Sequence, residues 1–218
     1  MLKEFTALLK KEIVLELRGK YALGGLLLYV ISTVFVVYLS VTKVTTIPVW
    51  NALFWIIFLF AATNAVAKAF VQDGKDQLLY LYTLASPQAV IAAKIVYNML
   101  LLIVVSLLTY AVYGVLIGNP VENTGLYLLT LILGAAGFSG TLTLLSSIAA
   151  QTGNNVTLLS ILGFPILLPM LIILLKLSKN AADGLAYSVS IKYLLVLLAL
   201  NAIVAALSYI LFPYLWRD

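Results

Sequence analysis

The residues able to do chemistry are few: eight Asp and Glu, thirteen Lys and Arg, no His and no Cys. That inventory excludes disulfides, thiolate nucleophiles, Cys/His zinc sites, and haem or copper ligation through imidazole. No paired carboxylates and no Ser/Lys dyad at one membrane depth can be put together from the rest, so an enzyme is the least supported class. Two stretches gather polar chemistry. In MLKEFTALLKKEIVLELRGK (1–20), Leu2, Phe5, Leu8, Leu9, Ile13 and Leu17 share one helical arc, with Lys3, Glu4, Lys10, Lys11 and Arg18 opposite. That is the pattern of a helix lying in a membrane interface. Glu12 and Glu16 fall inside the apolar arc, and are expected either to meet Lys, Arg or a partner's surface or to snorkel at its edge. In the second stretch, Asp73, Gly74, Lys75, Asp76 and Gln77 form a polar turn. Leu78, Leu79, Leu81, Tyr82 and Leu84 follow at helical spacing, and Ser86-Pro87 opens the next helix. This reads as a short amphipathic helix able to seat in a groove of a partner protein and pass its movement to two spans. The same pattern also fits a plain interfacial loop.

The elements that position these stretches follow from composition. Of 218 residues, 64% are hydrophobic and 10% charged, with a mean hydropathy of +1.13, whereas a soluble fold carries about a quarter charged residues. Lipid therefore serves as solvent. Six apolar runs are long enough to cross roughly 30 Å of hydrocarbon as helices: 21–41, 48–67, 89–117, 124–150, 156–175 and 191–214. They are continuous rather than alternating, which argues against a membrane barrel. The fold expected is all-α, one membrane domain over 1–218, with an interfacial helix at 1–20 and a cytoplasmic coupling segment at 69–88. With the N-terminus inside, nine cations (Lys3, Lys10, Lys11, Arg18, Lys20, Lys68, Lys75, Lys94, Arg217) lie inside and four (Lys43, Lys176, Lys179, Lys192) outside, which favours cytoplasmic termini. Three of the outside lysines are assigned to the connection between spans five and six. Residues 1–20 lack the uninterrupted apolar core of a cleavable signal, so the mature chain is expected to begin at Met1. The net charge of +5 is dispersed over these connections and does not mark a nucleic-acid surface.

Within the spans, Gly134, Gly137 and Gly140 give the fourth helix a face of small residues, suited to close helix packing or to lining a path. The QTGNN run at 151–155 reads as a tight turn. Pro165 and Pro169 remove two backbone donors one turn apart and are expected to kink or break the fifth span, as a flexing element or as a static bend. No Asp, Glu, His or Arg falls near a bilayer midplane, so energy for any transport is expected from outside the chain. The phosphate-binding pattern G-x-x-x-x-G-K-[ST] is absent, and ATP would need a separate subunit.

Three stretches resemble a known family: KKEIVLELR at 10–18, AFVQDGKDQLLYLYTLASPQAVIAAK at 69–94, and LGAAGFSGTLTLLSSIAAQTGNNVTLLSILGFPILLPMLII at 133–173. The likeness, which covers nearly the entire chain, is to ABC-2-type exporters and more closely to the CcmB family, the membrane subunit of the cytochrome c maturation haem exporter. The resemblance implies a permease subunit in the bacterial inner membrane, not itself an enzyme and holding no cofactor, with ATP hydrolysed by a CcmA-like ATPase docked on 73–82. It further implies CcmC-like, CcmD-like and CcmE-like partners, haem or a haem-loaded chaperone as the species exported or released, and a homodimer. The absence of His disfavours stable axial haem ligation and leaves Tyr and Met as possible ligands. The alternatives are an ABC-2 permease for a lipid, polysaccharide or drug, and a non-transporting membrane assembly factor.

Overall fold

A computed structural model describes residues 2–18, 20–40, 46–66, 69–70, 85–151 and 156–215, with side-chain surroundings for all of these except 2, 17, 18, 20–23 and 156–160. The described residues form helices α1 (Leu2–Arg18), α2 (Lys20–Ser40), α3 (Ile47–Val66), α4 (Pro87–Ile117), α5 (Thr124–Gln151), α6 (Val156–Ala182) and α7 (Tyr187–Leu215). Helices are the form these runs must take, because each one satisfies its own backbone polar groups where no water can. Helices α3, α4, α5 and α7, and α6 from Ile161 onward, are long and apolar enough to cross a membrane. Helix α2 is apolar after Lys20.

Helix α5 is the centre, packed against α3, α4, α6 and α7. Its three glycines make that possible. A Cβ at Gly134 would stand 3.0 Å from both Leu174 and Trp55, one at Gly137 would collide with Met170 and Asn201, and one at Gly140 would stand 3.0 Å from Val204. The small face is therefore filled by side chains of α3, α6 and α7. Short polar ties add specificity: Asn98 donates to Thr143 at 2.8 Å, Ser139 to the Ile95 carbonyl at 2.6 Å, and Asn201 to the Leu133 carbonyl at 3.0 Å.

One end of the bundle holds a block of aromatic rings. Trp50, Phe54, Trp55 and Phe58 of α3 pack on Tyr110 and Tyr113 of α4 and on Tyr127 and Phe138 of α5, with ring centres 4.9 to 6.5 Å apart. Trp50 donates to the Gly118 carbonyl at 2.9 Å and Trp55 to the Ser178 hydroxyl at 2.8 Å. The polar edge of each buried indole is thus satisfied.

Two expectations for the fifth span change. Pro165 and Pro169 lie inside α6, which is helical throughout, so the helix is not broken. Both prolines are exposed, and each removes one backbone donor. The helix also runs on past residue 175 through Lys176 and Lys179 to Ala182, and α7 begins at Tyr187. Lys176, Lys179 and Lys192 therefore lie on helices, and only 183–186 connect them. Apolar run length stops at the first charge, but lysine is a good helix former whose long stem reaches outward from a buried backbone. Gln151 likewise closes α5 rather than opening a turn.

Candidate functional site

Residues 4, 8, 12 and 16 recur every four positions and so form one line along α1. That line faces α4. The Ser86 hydroxyl donates to the Glu4 carboxylate at 2.9 Å and the Ser86 amide to the same oxygen at 3.3 Å. Leu8 packs on the apolar cluster of Phe70, Val90, Ile91 and Phe212. Glu12 forms an ion pair of 3.2 Å with Lys94, and Glu16 faces the Tyr97 hydroxyl. Residue numbers rise together on both helices, so α1 runs parallel to the first turns of α4, in register with them.

Ser86 shows why the acidic line is needed. It is the residue before α4, with Pro87 in the first turn, and its hydroxyl does not cap its own helix. Glu4 of α1 takes the Ser86 amide and hydroxyl instead, and these bonds hold the Glu4 carboxyl below its ordinary value. A carboxylate at the opening of a helix also suits the positive end of its dipole.

Lys94 is the centre of the arrangement. Its side chain is 4% exposed, a position where an ammonium is costly unless it is paired and hydrogen-bonded. Besides the Glu12 carboxylate it donates to the Ala69 carbonyl at 2.6 Å, and it stands 4.9 Å from the centre of the Phe70 ring. Phe70 packs in turn on Phe212 of α7, with ring centres 5.4 Å apart. At the same end, Gln151 at the close of α5 donates to the Leu215 carbonyl at 2.7 Å. Residues 69 and 70 at the start of the connection after α3, and Ser86 at its finish, are thus tied to one frame made by α1 and α4.

The residues singled out in the sequence divide into three groups. Asp73, Gly74, Lys75, Asp76, Gln77, Leu78, Leu79, Leu81 and Tyr82 lie outside the described residues, as does the side chain of Arg18. Pro87 and Gln88, read as the close of the coupling segment, are the first turn of α4. Glu12 and Glu16 come together with α4, while Gly134, Gly137, Gly140, Pro165 and Pro169 sit far along the chain in the bundle and do not join them. Reading by residue type missed Lys94, Glu4 and Ser86. The signal for Lys94 was present: a single lysine in the apolar run AVIAAKIVYN cannot face lipid, and so requires an acid within reach.

The model of the family described as CcmB protein matches residues 3–213. The chain belongs to the CcmB family. No curated protein matches it. Membership of the CcmB family makes it a membrane component of the haem exporter of cytochrome c biogenesis, working alongside other Ccm components. A CcmB subunit is a permease and not itself an enzyme. The long apolar helices agree with a multi-pass membrane protein.

Proposed function

We propose that this CcmB subunit is the membrane half of an ATP-driven exporter that moves haem, or frees a haem-loaded chaperone, and that segment 72–84 is where its ATPase docks. The observation that supports this most is the anchoring of both ends of the 71–84 segment. Ala69 and Phe70 are held through Lys94, and Ser86 through Glu4, so a push on the segment between them is delivered to α1, α3 and α4 together. A segment tied to a deformable loop would absorb such a movement locally; one tied to three helices passes it on.

In this reading α2 is a sixth span, the Lys94 end of the bundle faces the cytoplasmic side of the bacterial inner membrane with both termini, and α1 stands beside the cytoplasmic turns of α4 instead of lying flat in the interface. The ATPase is CcmA-like and acts as a pair on two copies of this chain, because ABC ATPases close on nucleotide in pairs and each chain offers one docking segment. CcmC-like, CcmD-like and CcmE-like subunits handle haem around it. The test is the double variant Leu78→Asp/Leu79→Asp, expressed together with the ATPase and the other subunits proposed. A charge left unpaired in an apolar groove should abolish copurification of the ATPase and its coupled activity while membrane insertion stays normal. Undiminished copurification and activity would refute the docking assignment.

A further inference from the structure

The end of the bundle opposite Lys94 carries a second set of cations. Helices α6 and α7 form a hairpin there: the Leu185 amide donates to the Asn180 carbonyl at 2.9 Å, and Asn180 donates across to the Ser190 hydroxyl at 3.0 Å. One turn inward from that tie, Lys176 of α6 and Lys192 of α7 stand 5.7 and 5.0 Å from the centre of the same Tyr193 ring. Both lysines are exposed. Among the described residues neither makes an ion pair, and the acidic groups of this end, Glu122 and Asp183, lie beside or within the turn at Gly184.

This placement concentrates positive charge on one exposed face. Lys176 approaches the C-terminal end of α6, where a cation is welcome, but Lys192 sits in the second turn of α7, at the positive end of its dipole. The Tyr193 ring gathers both ammonium groups onto one exposed face. An anion from outside the chain would complement that charge and the end of the α7 dipole. The surroundings say what kind. One turn deeper on the same faces, Ile172 lies below Lys176, and Leu195 and Val196 lie below Lys192, all exposed, at 51%, 59% and 45%. Cations over a ring, with open apolar side chains one turn deeper, match a molecule with an anionic head and an aliphatic tail.

We propose that the Lys176–Tyr193–Lys192 face binds an anionic phospholipid, its phosphate between the lysines and its first acyl carbons along Ile172, Leu195 and Val196. The site needs only that α6 and α7 cross the bilayer; it stands apart from the haem reading and from the docking at 72–84.

The experiment is native mass spectrometry of the purified subunit from mild detergent, titrated with phosphatidylglycerol or phosphatidylcholine of matched chains. A third arm adds glycerol phosphate, which offers the headgroup without the tail. The wild type should retain phosphatidylglycerol on the order of tenfold more than phosphatidylcholine. Lys176→Gln/Lys192→Gln should reduce retention to the phosphatidylcholine level, and Lys176→Arg/Lys192→Arg, which keeps both charges, should restore it. Glycerol phosphate should fail to compete. Equal retention of the two lipids by the wild type, or a Gln variant that keeps the preference while running as a folded species on size exclusion, would overturn the proposal. Competition by glycerol phosphate would overturn it in favour of a simple phosphate site. Loss in the Gln variant of an acidic protein, with lipid retention unchanged, would overturn it in favour of a protein contact.

Discussion

The Glu12 carboxylate and the Lys94 ammonium lie 3.2 Å apart although 82 residues separate them along the chain, and the pair joins the N-terminal helix to the start of α4. Because Lys94 also holds the Ala69 carbonyl, the loss of either charge should be felt at three helices. Glu12→Gln is expected to cost about 3 kcal/mol by removing a carboxylate that pairs with a buried ammonium. The double variant Glu12→Leu/Lys94→Met should recover much of that loss, since neither charge is then stranded. Unfolding midpoints in mild detergent for the single and double variants check this, and equal losses in Glu12→Gln and the double variant would contradict it.

Gly137 should tolerate less than its neighbours. A methyl group there meets Met170 and the Asn201 side chain, whereas at Gly24 and Gly25 nothing lies within 4 Å. Gly137→Ala is therefore expected to destabilise by about 1–3 kcal/mol. Gly25→Ala, on the exposed side of α2, should be neutral or stabilising by up to about 1 kcal/mol. Thermal shift in detergent separates the two, and a harmless Gly137→Ala would show that the α5–α6–α7 contact yields more easily than its spacing implies.

The Glu4–Ser86 anchor sets a pH dependence whose sign is fixed. Ser86 holds the Glu4 carboxyl below its ordinary value of 4.5, so the stabilisation is complete above 4.5 and lost as pH falls through the lower, folded value. Hydrogen exchange of the Ser86, Ala89 and Val90 amides should be protected evenly from neutral pH down to that range and then increase. In Glu4→Gln, which cannot titrate, the protection should be lower at neutral pH and should not show the acid step.

Orientation can be read without background, because the chain has no cysteine of its own. Single cysteines at Asn119 and Asp183, both exposed at the aromatic end, should react with a membrane-impermeant reagent in intact cells. Cysteines at Gly74 and Asn154 should react only after the membrane is opened. The opposite pattern would put residues 71–84 on the wrong side for the ATPase docking proposed there.

Helices were legible wherever the chain lies in an apolar environment, because continuous hydrophobicity and length suffice there: Thr124, Ile117 and Val156 are helix ends in both readings. The face of α1 was legible in part. Glu12, set inside the apolar arc and expected to meet a Lys or Arg, pairs with Lys94 beside Leu8 of the same arc, but Glu4, set on the opposite side, also packs on α4, and Ile13 of the arc is 37% exposed. Near a membrane an apolar arc has two solvents to choose from: part of it turns outward, and its acidic edge seeks the charges of a neighbouring helix. Lys94 was hidden for a related reason, since counting lysines by connection treats each as a surface signal and cannot register one that is buried 82 positions from its acid. The aromatic block escaped notice because Trp50 and Phe54 of α3 meet Tyr113 and Tyr127 only once three helices have been brought together.

That block has an optical consequence. Trp50 and Trp55 are 2% and 1% exposed, each indole N–H is held by a fixed acceptor, and the chain has only three tryptophans. Replacing Trp216 by Phe would leave emission arising from the block alone, blue in colour and shielded from iodide. Any motion that parts α3 from α4 or α6 would let water reach those rings, shifting the emission red and exposing it to quenching. The protein thus carries its own fluorescent gauge of whether the bundle is closed, usable without an attached dye.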